Sequence, residues 1–124
     1  MGELTTIVAH PLTEVDAAVR GALAVEGFGV LTEIDLDGVF RAKLGVERTP
    51  LKILGACNPH FAHAAIERDA HAALAIPCNV VLEALDASTT RVTIADPAAM
   101  MPGANMADLT ADARARLARV LDAL

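Results

Sequence analysis

Alternating apolar and polar positions predict five β-strands in this chain. Residues 4–9 and 28–35 alternate in this way and contain β-branched residues, which favour extended backbone. Residues 78–85 and 89–95 do the same on either side of a short Asp-Ala-Ser turn, a pattern typical of a hairpin. Residues 51–56 are almost continuously apolar, as expected for a buried central strand.

Apolar residues at helical spacing predict helices between these strands and at the C-terminus. Val15, Val19 and Leu23 mark a first helix that ends at Gly27. A second helix follows residue 35, a third covers residues 59–68, and the last begins after Asn105 or Asp108. Residues 69–75 fit either an extension of the third helix or a short separate one.

Helix starts are marked by residues that cap free backbone N–H groups. Thr13, Asp35 and Asn58 are candidate N-caps, and Pro59 suits the first helical position because its missing N–H costs nothing there. The resulting order is strand, helix, strand, helix, strand, helix, strand, strand, helix. We therefore expect an α+β fold with one sheet covered by helices, and the final hairpin argues against a doubly wound sheet.

Composition and charge exclude several classes of function. The 124 residues carry a formal net charge of −6 and only 2% aromatics, so we expect no nucleic-acid partner. No stretch of about 18 apolar residues is present, which argues against a membrane span. The N-terminus lacks the pattern of a signal peptide, so we expect a soluble cytoplasmic protein whose two cysteines are reduced.

Candidate chemistry is concentrated at two proline-flanked junctions. In the sequence Lys-Ile-Leu-Gly-Ala-Cys-Asn-Pro-His-Phe-Ala-His, residues 52–63, a cysteine and two histidines lie within two helical turns of a strand end. The other cysteine lies in Ile-Pro-Cys-Asn, residues 76–79. If these strands are antiparallel neighbours, the two junctions meet. The candidate ligand-binding residues are Cys57, Asn58, His63, Cys78 and Asn79.

Four segments together resemble a known family. They are EGFGVLTEID at 26–35, KILGACNP at 52–59, AHAA at 62–65 and IPCNVV at 76–81. In this order, over nearly the whole chain, they resemble the domain-of-unknown-function family 302. The resemblance implies one domain over residues 1–124 and a TATA-binding-protein-like fold, β-α-β(4)-α, with an antiparallel sheet. It also implies a homodimer, with extra helices inserted between strands, and it brings no activity with it.

The two cysteines allow three interpretations. Cys57 next to a helix N-terminus would have a lowered pKa, which suits a redox protein in which Cys57 attacks and Cys78 resolves. Cys57, His60, His63 and Cys78 could together form a Cys2His2 metal site, although their spacing does not match the usual zinc patterns. Both thiols could instead be ordinary core residues.

The sequence does not specify a biochemical activity. It contains no nucleophile triad, phosphate loop or dinucleotide fingerprint, so we lean against an enzyme and identify no cofactor. The leading hypothesis is a small protein that binds a small molecule or an ion near the two cysteine junctions. The alternatives are a thiol-based redox or sulfur-handling protein, and a non-catalytic structural or partner-binding module.

Overall fold

The computed structural model describes residues 3–124, and of Glu3 it describes the backbone only. Met1 and Gly2, which belong to the stretch used above to argue against a signal peptide, lie outside the described residues. The elements in chain order are β1 Glu3–Val8, α1 Leu12–Val25, β2 Gly29–Asp35, α2 Leu36–Leu44, β3 Leu51–Cys57, α3 Pro59–Arg68, a 3-10 helix Ala70–Ala75, β4 Cys78–Asp86, β5 Thr89–Ala95, α4 Pro97–Met100, a 3-10 helix Ala104–Met106 and α5 Ala107–Asp122.

The five strands form one antiparallel sheet in the order β1-β5-β4-β3-β2. The α+β prediction is confirmed, and the element order is β-α-β(4)-α once α2, α3 and the short helices are counted as insertions. The two edges of the sheet are β1 and β2, while β3, β4 and β5 lie between them. Because β3 and β4 are antiparallel neighbours, the end of β3 lies beside the start of β4.

Helices α1 and α5 pack against one face of the sheet, which we call the core face. Side chains with 0% or 1% exposure meet there from both layers: Val15, Val19, Leu23, Leu54, Val80, Leu82, Val92, Ile94, Leu117 and Val120. The alternation seen in the sequence places these strand residues on one side. Burial of each such side chain contributes about 1.5–3 kcal/mol, so this interface supplies the main core.

The opposite side of the sheet, which we call the open face, is less covered. Besides a short cross-strand row of Thr32, Gly55 and Asn79, its strand residues form two longer rows. The first row is Ile34, Ile53, Val81, Thr93 and Thr5, and the second is Leu51, Glu83, Arg91 and Ile7. Ile7 and Ile34 are exposed there.

A smaller core lies where α3 meets α5. It contains six buried residues: Phe61, Ala65, Ala72, Met101, Met106 and Ala113. Phe61 is buried in this core, whereas Ile66 on the same helix is exposed. After β5, Pro97–Met100 forms a short helix capped by Asp96, whose carboxylate accepts from the N–H of Ala98 at 2.9 Å.

Two of the predicted helix caps are wrong, and a third is only partly right. Helix α1 begins one residue before Thr13, with Pro11 at the cap position. Asp35 lies at the predicted N-cap position of α2, but its side chain makes no capping hydrogen bond. Helix α5 begins at Ala107, so neither Asn105 nor Asp108 caps it. Asp108 instead binds Arg68 with two hydrogen bonds of 2.6 and 3.0 Å, because that cation lies within reach across the α3–α5 contact.

Asp16 has a tertiary role that its position in the first helix did not predict. Its carboxylate accepts from Arg20 at 2.6 Å and from Lys52 at 2.6 Å, and both cations also pair with Glu33 on β2. Burial of Asp16 raises the pKa of its carboxyl, but these hydrogen bonds outweigh burial and leave the pKa below its usual value. The cluster ties α1 to β2 and β3.

Within residues 3–124, no helix is both long and apolar enough to cross a membrane.

Candidate functional site

The two cysteine junctions meet, as the sequence predicted. Ala56 and Cys78 are register partners across β3 and β4, so Cys57 lies next to the start of β4. Both cysteines are free thiols. The meeting of the junctions does not, however, bring the two cysteine side chains onto the same face of the sheet.

The register places the two thiols on opposite faces of the sheet. Cys78 shares a face with its partner Ala56, which is the core face, and is only 6% exposed. Cys57 follows Ala56 along the same strand, so its side chain points to the open face, where it is half-buried. Thiols on opposite faces of the sheet do not suit the redox pair in which Cys57 attacks and Cys78 resolves.

The expected lowering of the Cys57 pKa is wrong. Burial raises the pKa of the Cys57 thiol, and burial together with the nearby Cys57 raises that of Cys78 to about 11. The N–H groups at the α3 N-terminus bind Asn58 instead: those of His60 and Phe61 donate to Asn58 Oδ1 at 3.1 and 3.3 Å. Neither thiol is therefore activated as a thiolate near neutral pH.

Asn58 is the predicted N-cap of α3, with Pro59 at the first helical position, and this prediction is confirmed. Its side chain is only 7% exposed. Besides capping α3 through Oδ1, it donates from Nδ2 to the Glu26 carbonyl at 3.5 Å. One amide thus joins the start of α3 to the end of α1.

The four metal-ligand candidates do not converge. His63 is exposed on α3 and lies 3.6 Å from Glu67, while Cys57 and Cys78 occupy opposite faces of the sheet. Among residues 3–124, no three His, Cys, Asp or Glu side chains are placed to hold one metal ion. Cys57, His60, His63 and Cys78 therefore do not form a Cys2His2 site in this geometry.

A cavity of about 310 Å³ lies at the start of α3, and we call it the Asn58 cavity. Its lining residues are Gly27, Asn58, His60, Phe61, Leu109, Asp112 and Arg116. Arg116 is held in place at the cavity wall, since it donates to Asp112 at 3.0 Å and to the Glu26 carbonyl at 3.3 Å. The cavity thus combines the apolar side chains of Phe61 and Leu109 with a guanidinium, the carboxylate of Asp112 that pairs with it, an amide and an imidazole.

Only Asn58 among the five ligand-binding candidates lines this cavity. Asn79 is exposed and pairs with Gly55, so it lies on the open face and does not share a pocket with Asn58. His60, singled out only as a metal ligand, does line the cavity. Arg116 was not among the candidate residues identified from the sequence. The one local signal was Asp112 four residues earlier, the spacing of a helical ion pair.

Comparison with known proteins identifies the family. The model of the family described as domain of unknown function DUF302 matches residues 4–124. The crystal structure of an uncharacterized conserved DUF302 protein from Bacillus stearothermophilus superposes with a TM-score of 0.89 at 28% identity, covering 99% of this chain and 98% of that one. A search of curated proteins finds no significant match.

The family match spans nearly the whole chain, and the four motifs quoted above all fall within it. The segment that contributes Asn58 to the cavity is one of these motifs. The chain belongs to the DUF302 family.

Proposed function

We propose that this protein binds a small polar molecule in the Asn58 cavity. The observation that carries the proposal is the buried amide of Asn58 at the wall of a cavity that also presents His60 and Arg116. Small-molecule sites are typically concave and largely apolar, with a few fixed polar groups. Phe61 and Leu109 supply the apolar part of this cavity.

Arg116 is suited to orient a ligand. A guanidinium carries five N–H donors, and here Nε and Nη1 are engaged by Asp112 and by the Glu26 carbonyl. These contacts fix the plane of the group and leave the donors of Nη2 for an acceptor on the ligand. Because the side chain is already ordered, binding loses little further side-chain entropy.

The size of the cavity limits the ligand. A volume of about 310 Å³ lies at the lower end of the range of about 300–1,000 Å³ found for small-molecule sites. The ligand is therefore of the size of a small metabolite. The proposed binding site therefore lies on the side of α3 that faces α5, and not at the cysteine pair. No catalytic step is assigned to it.

Titration of ¹⁵N-labelled protein with a panel of small carboxylates, inorganic phosphate and free amino acids tests this function. We expect at least one probe to shift the side-chain signals of Asn58 and Arg116. Arg116→Gln should weaken binding at least about tenfold. Arg114→Gln is the matched control, because Arg114 pairs with Asp96 outside the cavity. If no probe moves these signals, the proposal fails.

We also propose that the protein is a cytoplasmic homodimer. Two free cysteines and no disulfide suit a reducing compartment. The family resemblance supports the dimer, and a net charge of −6 disfavours a nucleic-acid partner. No observation favours the redox alternative, since the pKa values of both thiols are raised and their side chains lie on opposite faces.

A further inference from the structure

We propose that the ligand of the Asn58 cavity is a zwitterion, namely an α-amino acid with a small apolar side chain. The inference rests on the binding function proposed above and names the class of ligand. It follows from a pair of opposite charges, Asp112 and Arg116, at the wall of the cavity.

The cavity wall carries one cation and one anion side by side. Apart from His60, its ionisable lining residues are Arg116 and Asp112, and Nε of Arg116 lies 3.0 Å from Oδ2 of Asp112. A ligand with only a negative charge is attracted by the guanidinium but repelled by the carboxylate beside it, and a ligand with only a positive charge meets the reverse. A ligand that carries both charges is attracted by both groups.

Each member of this pair keeps an atom for the ligand. Nε and Nη1 of Arg116 donate to Asp112 and to the Glu26 carbonyl, which leaves Nη2. Oδ2 of Asp112 accepts from Arg116, whereas its Oδ1 has no hydrogen-bond partner within residues 3–124. The ligand carboxylate would accept from Nη2, and the ligand ammonium would donate to Oδ1. An α-amino acid carries these two groups on a single carbon, so its charges are as close together as those of the wall.

One backbone carbonyl holds both polar walls of the cavity. The carbonyl of Glu26 accepts from Nη1 of Arg116 on α5 at 3.3 Å and from Nδ2 of Asn58 at the start of α3 at 3.5 Å. The polar groups are therefore positioned before a ligand arrives, which lowers the entropy lost on binding.

The apolar lining favours an apolar side chain on the ligand. Phe61 is buried in the smaller core, Leu109 packs against that core, and both line the cavity. An alkyl group in contact with them is removed from water, which favours binding. A volume of about 310 Å³ limits that group to a small one.

Three probes of nearly the same shape test the ligand class. L-Leucine carries both charges at pH 7, 4-methylpentanoate lacks the ammonium, and 3-methylbutylamine lacks the carboxylate. Each is titrated into the ¹⁵N-labelled full chain while the side-chain signals of Asn58 and Arg116 are followed. We expect L-leucine to bind at least about tenfold more tightly than either of the other probes.

Asp112→Asn tests the role given to the carboxylate. The Asp112 side chain is 63% exposed, so we expect the variant to fold, which far-UV circular dichroism verifies. Its affinity for L-leucine should fall at least about tenfold, whereas its affinity for 4-methylpentanoate should not fall, because a repulsive charge has been removed. Asp122→Asn is the matched control, since Asp122 lies on the same helix outside the cavity lining.

The outcomes separate this inference from the binding function itself. If 4-methylpentanoate or 3-methylbutylamine binds as tightly as L-leucine, or if Asp112→Asn binds L-leucine as tightly as the wild type does, the zwitterion is overturned and the binding function stands. The same holds if inorganic phosphate or another probe of the panel moves the signals of Asn58 and Arg116 and L-leucine does not. If no probe moves them, both proposals fail.

Discussion

The amide of Asn58 lies directly against Gly27. A Cβ atom built on Gly27 would stand 3.1 Å from Nδ2 of Asn58, and Gly27 has a positive φ of 84°. Two features of one site therefore require glycine: the left-handed turn that ends α1 and the close approach of the amide that caps α3.

Replacing Gly27 tests this contact. We expect Gly27→Ala to reduce the free energy of unfolding by about 1–2 kcal/mol, the cost of a left-handed conformation for a residue with a Cβ. It should also displace the Asn58 amide. Urea denaturation gives the first quantity and the Asn58 side-chain NMR signal the second. An unchanged signal would show that the amide does not depend on Gly27.

Replacing Asn58 separates its two contacts. Asn58→Ala removes the cap and should destabilise the protein by about 0.5–2 kcal/mol. Asn58→Asp keeps an oxygen that accepts from His60 and Phe61 but removes the Nδ2 donor to Glu26. We therefore expect the aspartate variant to be the more stable of the two in thermal denaturation. Equal stability would mean that capping contributes little.

Gly55 is required for a different reason. A Cβ there would collide with Thr32 Oγ1 and would lie 2.8 Å from Cγ of Pro77, a ring that cannot rotate away. Gly55→Ala should therefore cost about 1–3 kcal/mol from overpacking. Gly21→Ala is the control, because Gly21 lies within α1 with nothing within 4 Å of its would-be Cβ. The control should gain up to about 1 kcal/mol. Similar losses in both variants would contradict this explanation.

The ion pair between α3 and α5 predicts a measurable titration. Hydrogen bonds from Arg68 lower the pKa of the Asp108 carboxyl to about 2. Since this pKa is lowered in the folded state, the pair stabilises the fold above the ordinary aspartate value of about 3.9. That contribution is lost as pH falls toward 2.

Carboxyl ¹³C NMR measures the Asp108 pKa directly. Arg68→Gln should return it to about 3.9. Arg114→Gln, which breaks the separate pair with Asp96, should leave it low. If Asp108 titrates at its ordinary value in the wild type, the ion pair does not persist in solution.

The thiols should be poorly reactive in the folded protein. Because burial raises both pKa values and Cys78 is only 6% exposed, we expect Cys78 to resist disulfide reagents until the chain is unfolded. Cys57, half-buried, should react more slowly than a free cysteine. Labelling with and without denaturant, in the wild type and in Cys57→Ser, distinguishes the two. Rapid labelling of Cys78 in the absence of denaturant would contradict this prediction and support the redox hypothesis.

Local signals in the sequence predicted the fold well. Strand alternation, the Asn58 cap and Pro59 at the first helical position each depend on residues that are neighbours in the chain, and each is present in the structure. The wrong cap predictions at Thr13 and Asp108 also depended only on residues that are neighbours in the chain. Local pattern could not show that Asp108 lies beside Arg68, which is 40 positions away.

The site was less predictable because its parts come from distant segments. Glu26 meets Asn58 across 32 positions and Arg116 across 90. The only local feature that distinguishes Arg116 from Arg114 and Arg119 is Asp112 four residues earlier, and it does not show that Arg116 reaches Glu26. For the cysteines, the sequence indicated that the junctions meet. The register of β3 and β4, which decides the face on which each thiol lies, came only from the structure.

The pairing of β1 with β5 has a consequence for how the chain folds. Thr5 and Thr93 are bonded across the sheet although they are 88 positions apart. During synthesis β1 is made before β5 and has no partner strand until residues 89–95 have followed. Such long-range pairing slows folding, and an unpaired strand edge is prone to aggregation in the meantime. Pairing of β1 therefore has to wait for β5, the last of the five strands in chain order.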